Sequence, residues 1–212
     1  MICRQLLLQA MDVFCYIIGC EQTHKGAVID PGEEPERIFK KVTELGLSLD
    51  YILNTHFHLD HTGANAELKA LSGARVAMHA EDVPLYGQPV DLTLNDADRL
   101  PLGNLEIRVI HTPGHTPGGV AFYLQGKLFT GDTLFVRDSG RTDLPYSHRE
   151  TLGASLRKLM ELPKDTRVYP GHHYGPTRTS TLEQEQSHNI NAREYGFDSN
   201  GKEIGNWKLD EM

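Results

Sequence analysis

Cysteine is scarce. The chain has three in 212 residues, Cys3, Cys15 and Cys20, all near the N-terminus and none in a C-x-x-C pair. An odd number without paired spacing argues against a disulfide framework and against a thiolate zinc site; free thiols in a reducing cytoplasm are the expectation. Basic residues are also few. Lysine and arginine total 21 against 29 acids, a formal charge of −8, which runs against nucleic-acid binding because phosphates need a basic face. No apolar run reaches the roughly 18 residues that span a membrane. The stretch Met1–Gly19 is apolar but is broken by Arg4, Gln5, Gln9 and Asp12. It has no basic segment ahead of an unbroken apolar core, so it predicts two strands rather than a signal peptide. Runs of like charge and internal repeats are absent too.

What remains is an ordinary globular composition, 39% hydrophobic and 24% charged, with enough length to bury one core. The expectation is one domain over residues 1–212, its core ending near residue 190 and a short tail following. Arg4–Gln9, Val13–Gly19, Gly26–Asp30 and Asp50–Asn54 predict strands. Between the last two, Pro35 and its acidic neighbours open a helix whose apolar side is Ile38, Phe39, Val42 and Leu45, with Gly46 as the stop. Thr62–Leu71 predicts a helix and Arg75–Met78 a strand, while His79–Asp96 is punctuated by proline and glycine and carries no clear pattern. Leu105–Ile110 alternates as a strand does, and Gly119–Leu124 with Lys127–Thr130 predict a hairpin through Gln125-Gly126. His148–Leu162 and Thr179–Arg193 predict helices flanking a strand at Thr166–Tyr169, and Asn200-Gly201 marks a turn in the tail. This order suggests two packed sheets with helices outside.

Four of these strands end alike. Y-I-L-N runs into T-H-F-H-L-D-H, I-R-V-I-H-T-P-G into His115, K-L-F-T-G into Asp132, and R-V-Y-P-G into His172. Strand ends are rigid, and a glycine beside them lets the next side chain turn inward. His56, His58, Asp60, His61, His115, Asp132 and His172 then form a set of nitrogen and carboxylate donors without sulfur, suited to zinc, iron or manganese rather than calcium or magnesium. Seven donors exceed one tetrahedral shell but match two ions sharing a carboxylate. His56, His58 and Asp60 would face one way along an extended stretch, with a turn at Asp60-His61 sending the last two toward the second ion. A water between two cations is deprotonated near neutral pH. A lone histidine at a strand end is more often a hydrogen-bonded surface group, and His24, His79, His111, His148, His173 and His188 are read that way. Of these, His111 is the one expected to brace a ligand.

T-H-F-H-L-D-H, T-P-G-H-T-P-G, F-T-G-D-T-L-F and Y-P-G-H-H together resemble the metallo-β-lactamase superfamily over nearly the whole chain. The resemblance implies a four-layer αβ/βα sandwich with the site at the sheet edge. His56, His58 and His115 would hold one ion, Asp60, His61 and His172 the other, and Asp132 would bridge them, with Asp60 and Asp132 the catalytic carboxylates. True β-lactamases of the best-known class have arginine in place of His61 and cysteine in place of Asp132, so the chain looks more like the glyoxalase II branch in a short form. That implies a cytoplasmic hydrolase of a small-molecule thioester such as S-D-lactoylglutathione, working through a metal-bridging hydroxide on two divalent ions, zinc first and iron or manganese next. No nucleic-acid or membrane partner is implied, and oligomeric state is left open.

In S-G-R-T-D-L-P, Arg141 stands where glyoxalase II offers a lysine to glutathione, and Asp143 stands in place of a tyrosine. Arg141 would bind a substrate carboxylate or form a salt bridge to a nearby acid. G-R-T-D also resembles the persulfide dioxygenases, in which the residues matching His56, His115 and Asp132 hold one iron. Lactone and ester hydrolases share H-x-H-x-D-H as well. A member that binds without catalysis usually lacks a metal ligand, and all seven are present here.

Overall fold

The computed structural model describes residues 1–9 and 11–191. Strand β2 (Phe14–Gly19) sets the logic of the packing, since every residue in it is buried. Its side chains alternate with the two-residue period of a strand. Phe14, Tyr16 and Ile18 enter one apolar cluster, and Cys15 and Ile17 enter another. A strand buried on both faces needs partners on both sides, and that requirement yields layers.

The first sheet also contains β1 (Ile2–Leu7), β3 (Lys25–Ile29), β4 (Ser48–Leu53), β5 (Arg75–His79) and β6 (Leu92–Leu94), in the order β1-β2-β3-β4-β5-β6. The first three strands pair antiparallel and the rest parallel. The second sheet contains β7 (Arg99–Leu102), β8 (Leu105–His111), β9 (Val120–Leu124), β10 (Lys127–Gly131), β13 (Arg167–Pro170) and β14 (Ser180–Thr181), in the order β14-β13-β10-β9-β8-β7. Between β10 and β13 lies a small ribbon of β11 (Leu134–Phe135) and β12 (Asp138–Ser139). Three apolar clusters separate four layers. One, with Tyr51, Leu53, Val109, Phe122 and Phe129, fills the space between the sheets. A second covers the outer face of the first sheet with α1 (Pro35–Glu44) and α3 (Asn65–Ser72), through Ile38, Val42 and Leu68. The third covers the second sheet with α5 (Arg149–Met160) and α6 (Leu182–His188), through Leu152, Leu156, Leu159 and Leu182. This is the αβ/βα sandwich that the resemblance implied. No helix of the described residues is long and apolar enough to cross a membrane, and Cys3, Cys15 and Cys20 are free thiols.

Several expectations change in detail. The helix expected over Thr62–Leu71 is two pieces, α2 (Leu59–Thr62) and α3, broken at Gly63 and Ala64. A Cβ on Gly63 would lie 2.4 Å from the Gly32 carbonyl oxygen, so two backbones pass in contact there and the chain bends to allow it. Asp60 and His61 therefore sit on a helical turn, and the extended stretch stops at His58. The unpatterned region 79–96 contains α4 (Val83–Tyr86) and β6. Strand β7 carries Pro101 and is tolerated because it is the outer strand of its sheet. The last helix is shorter than expected. Thr181 and Gln184 form a reciprocal cap at its start, and it ends at Asn189, which is extended. Arg193 and the Asn200-Gly201 turn lie outside the described residues.

Candidate metal centre

Parallel strands release their chains at the same edge, and that edge is where donors gather. From β3 comes Asp30, from β4 the stretch 54–61, and from β10 and β13, also parallel, come Asp132 and His172. His115 arrives from the loop between β8 and β9. The two sheets are sewn together at this edge, with the Val120 N–H donating to the Thr55 carbonyl at 2.8 Å and the Phe14 N–H to the Gly171 carbonyl at 2.7 Å.

All seven expected donors converge. His56, His58 and His115 form one trio, and Asp60, His61 and His172 another. Asp132 faces both: its Oδ1 is 3.4 Å from His61 Nε2, and its Oδ2 is 3.5 Å from His115 Nε2 and 3.3 Å from His172 Nε2. Two pairs of ring nitrogens point at each other, His115 Nε2 with His58 Nδ1 at 3.1 Å and His61 Nε2 with His172 Nε2 at 3.2 Å. His56 Nε2 and Asp132 Oδ1 are buried with no hydrogen-bond partner among the described residues. Orphaned buried polar atoms cost free energy, and here each belongs to a group that ligates cations. The donor set fits divalent ions. Gly171 makes room for the carboxylate, since a Cβ on it would lie 2.3 Å from Asp132 Oδ1.

The far side of each ring decides which nitrogen turns inward. His115 Nδ1 donates to the Arg141 carbonyl at 2.8 Å, and His172 Nδ1 to the Met11 carbonyl at 2.8 Å. His61 Nδ1 meets Asp30 Oδ2 at 3.0 Å, and His56 Nδ1 meets Thr55 Oγ1 at 3.1 Å. Such partners fix the tautomer and leave Nε2 as a lone pair for a cation. Asp30 also accepts from the Thr55 N–H and hydroxyl. Asp82, buried beneath the site, accepts from the Phe57 N–H at 3.0 Å, the Thr116 hydroxyl at 2.8 Å and the Gly118 N–H at 2.6 Å. It thereby ties the loop of His56 and His58 to the loop of His115.

Electrostatics divide the trios. Burial pushes His56 well below its ordinary value, with the neighbouring His61 adding to it, and takes His58 down to about 4. Burial also opposes the charge on His61 and His172, but carboxylates outweigh it. Asp132 and Asp30 raise His61, and hydrogen bonds to Asp132 and Asp60 raise His172 to about 10. Burial likewise opposes ionisation of Asp132 and Asp60, yet the facing imidazoles hold both below the usual carboxylate range.

A cleft of about 540 Å³ opens over the site. His58, Asp60, His115, Asp132 and His172 form its floor, and Met11, Leu59, Phe135, Leu144 and Tyr174 its apolar walls. Arg141 lines it too, paired with Asp143. Of the two roles that the sequence left open for Arg141, the salt bridge is the contact present. His111 stacks on His79 at 4.0 Å and its Nε2 meets the Pro117 carbonyl at 2.8 Å. It braces the end of the His115 loop rather than a ligand ring. Sequence reasoning missed Asp30, Asp82 and the Met11 carbonyl. Asp30 had a signal, V-I-D-P-G, a strand running into a turn like the other four.

A family model, the metallo-beta-lactamase superfamily, matches residues 9–172. A hydroxyacylglutathione hydrolase from Rhodospirillum rubrum is 42% identical over 166 residues, 77% of this chain and 63% of that protein. The mitochondrial persulfide dioxygenase ETHE1 of Homo sapiens is 36% identical over 191 residues, 88% of this chain and 74% of that one. In solved structures, ETHE1 from Myxococcus xanthus superposes with a TM-score of 0.86 at 34% identity, covering 95% of this chain and 88% of its own.

Proposed function

This chain belongs to the metallo-beta-lactamase superfamily, and on that premise we propose that it is a metal-dependent hydrolase of acyl thioesters. The reading is of the glyoxalase II kind, with S-D-lactoylglutathione or a related acyl-thiol as substrate. One observation carries it: two complete donor trios and a carboxylate facing both meet at the floor of one cleft. In this reading His56, His58 and His115 hold one divalent ion, Asp60, His61 and His172 a second, and Asp132 both; zinc is the first expectation, then iron or manganese. Ions held there supply an acidified water and positive charge beside the carbonyl oxygen.

The chain's own groups do the rest. Asp60, half-buried at the cleft floor, accepts a hydrogen bond from the attacking water and orients its lone pair toward the acyl carbon. Asp132, mostly enclosed with its Oδ1 buried, keeps the trios in register. Met11, Leu59 and Phe135 offer apolar surface against which a bound acyl group can pack. Water adds its oxygen to the acyl carbon and the C–S bond breaks; one water proton goes to the leaving sulfur, and the other stays on the new carboxylic acid or is released from it to solvent.

A second reading is favoured by coverage. The matches to persulfide dioxygenases span more of this chain than the hydrolase match does. In that reading a single iron sits at His56, His115 and Asp132. One experiment separates the two. Purified protein is loaded separately with zinc, manganese and iron, then given S-D-lactoylglutathione, a neutral acyl thioester of N-acetylcysteamine, or glutathione persulfide under an oxygen electrode. Thioester loss with kcat/KM above about 10⁴ M⁻¹s⁻¹ supports the hydrolase. Oxygen uptake with the persulfide on iron alone, without thioester hydrolysis, replaces it.

A further inference from the structure

Arg141 is the one arginine or lysine lining the cleft among the described residues. Its guanidinium is already engaged. Nε donates to Asp143 Oδ1 at 2.6 Å and Nη2 to Asp143 Oδ2 at 2.7 Å, the side-by-side geometry in which a guanidinium matches a carboxylate. Both side chains are well exposed, so the pair adds little to stability. What it changes is the reception of a ligand. A carboxylate entering the cleft must displace one tethered two residues away on the same loop, and a short tether gives an effective concentration of about a millimolar or more. Nη1 has no hydrogen-bond partner among the described residues, but the pair has no net charge to offer.

The rest of the upper cleft points the same way. Met11, Leu59, Phe135 and Leu144 are apolar, and the remaining charged wall residue is an acid, Asp138, whose Oδ1 accepts from the Ser139 N–H and from Asn191. Above the floor of the cleft the lining therefore has no uncompensated cation among the described residues.

We propose that Asp143 sets the carrier specificity of this site. By holding Arg141 in a closed ion pair, it disfavours thiols bearing carboxylates and leaves the cleft suited to acyl groups on uncharged or cationic, largely apolar carriers. The acyl-thioester part of this statement rests on the function proposed above, within which it ranks a neutral acyl-thiol ahead of S-D-lactoylglutathione and of glutathione persulfide, both of which carry carboxylates; the charge selection does not rest on it.

The test therefore measures binding apart from turnover. S-methylglutathione and its dimethyl ester have the same skeleton and differ in their carboxylates, and neither has a free thiol to chelate metal. Isothermal titration of both into the zinc-loaded full chain is carried out for the wild type, Asp143→Asn and Arg141→Ala. The wild type is expected to bind the ester more tightly than the diacid. Asp143→Asn should tighten the diacid about threefold to fivefold, the factor an exposed ion pair is worth, and leave the ester unchanged. The proposal is overturned if the wild type prefers the diacid and loses that preference in Arg141→Ala. It is equally overturned if Asp143→Asn leaves the diacid no tighter, including the case where no ligand binds. Failure to hydrolyse a neutral thioester alongside the expected binding pattern defeats the hydrolase reading and leaves the charge selection standing.

Discussion

His56 and His58 in one trio, and His61 and His172 in the other, are the same ring pushed in opposite acid–base directions. Around His56 and His58, burial and neighbouring imidazoles outweigh the pull of Asp132 and keep the rings neutral. Around His61 and His172 the surroundings are carboxylate, and the rings hold their protons against burial. Position on the fold does not explain this, since both trios take two donors from one short stretch and one from the opposite sheet. What differs is direct contact: Asp30 meets His61, and Asp60 meets His61 and His172. A cation at His56 and His58 meets ready lone pairs, whereas one at His61 and His172 must displace protons, so its affinity should climb with pH.

The largest effect should come from removing what the trios share. Asp132→Ala leaves His61, His115 and His172 without the carboxylate between them. Metal content should fall at both trios, and kcat/KM should drop by more than the roughly 10⁴-fold that one lost proton-transfer group costs. Full retention of metal by mass spectrometry would end the idea of a shared ligand. Asp60→Ala should act on the mixed trio alone. Hydrolysis should fall by roughly 10²–10⁴-fold while metal at His56, His58 and His115 remains; an iron oxygenase would keep most of its oxygen uptake in the same variant.

Asp30→Asn is a finer probe. It keeps the shape but takes the charge from behind His61, so metal affinity at the mixed trio should weaken by about 10–100-fold, more than at the imidazole trio, which Asp30 reaches only through Thr55 and His56. Equal weakening at both would erase the distinction. The smallest effect concerns the protein after chelator treatment, where each group acts through its own shift. His58 at about 4, against 6.5 unfolded, refuses a proton that the unfolded chain accepts, so stability is lost as pH falls from 6.5 toward 4. His172 at about 10 gives stability that is full below 6.5 and lost as pH rises toward 10. Thermal unfolding of that form should therefore peak near pH 6.5, and a monotonic profile would count against the division.

Legibility in the sequence followed distance along the chain. His56, His58, Asp60 and His61 are contiguous, and His115, Asp132 and His172 each follow an apolar strand, so all seven stand out unaided. Strands β4 and β8 and helix α5 were equally plain because their periodicity is local. What stayed hidden depends on pieces far apart. The break between α2 and α3 comes from Gly63 meeting Gly32, and β6 is three residues that become a strand by pairing with β5. The inward turn of His172 is fixed by the carbonyl of Met11, 161 residues away, and a carbonyl has no sequence signature. Asp82 looks like any acid before a short helix until its three donors are seen.

Each trio draws from both sheets: His56 and His58 are answered by His115, and Asp60 and His61 by His172. Ions at those positions would be rivets through a seam. Whatever binds the closed form and not the open one shifts the equilibrium toward closure by mass action, so cation supply would govern how often the half-molecules part as well as how fast the site turns over. Metal starvation would then loosen the whole joint, exposing the aromatic faces of Tyr16, Phe122 and Phe129 that lie between the sheets.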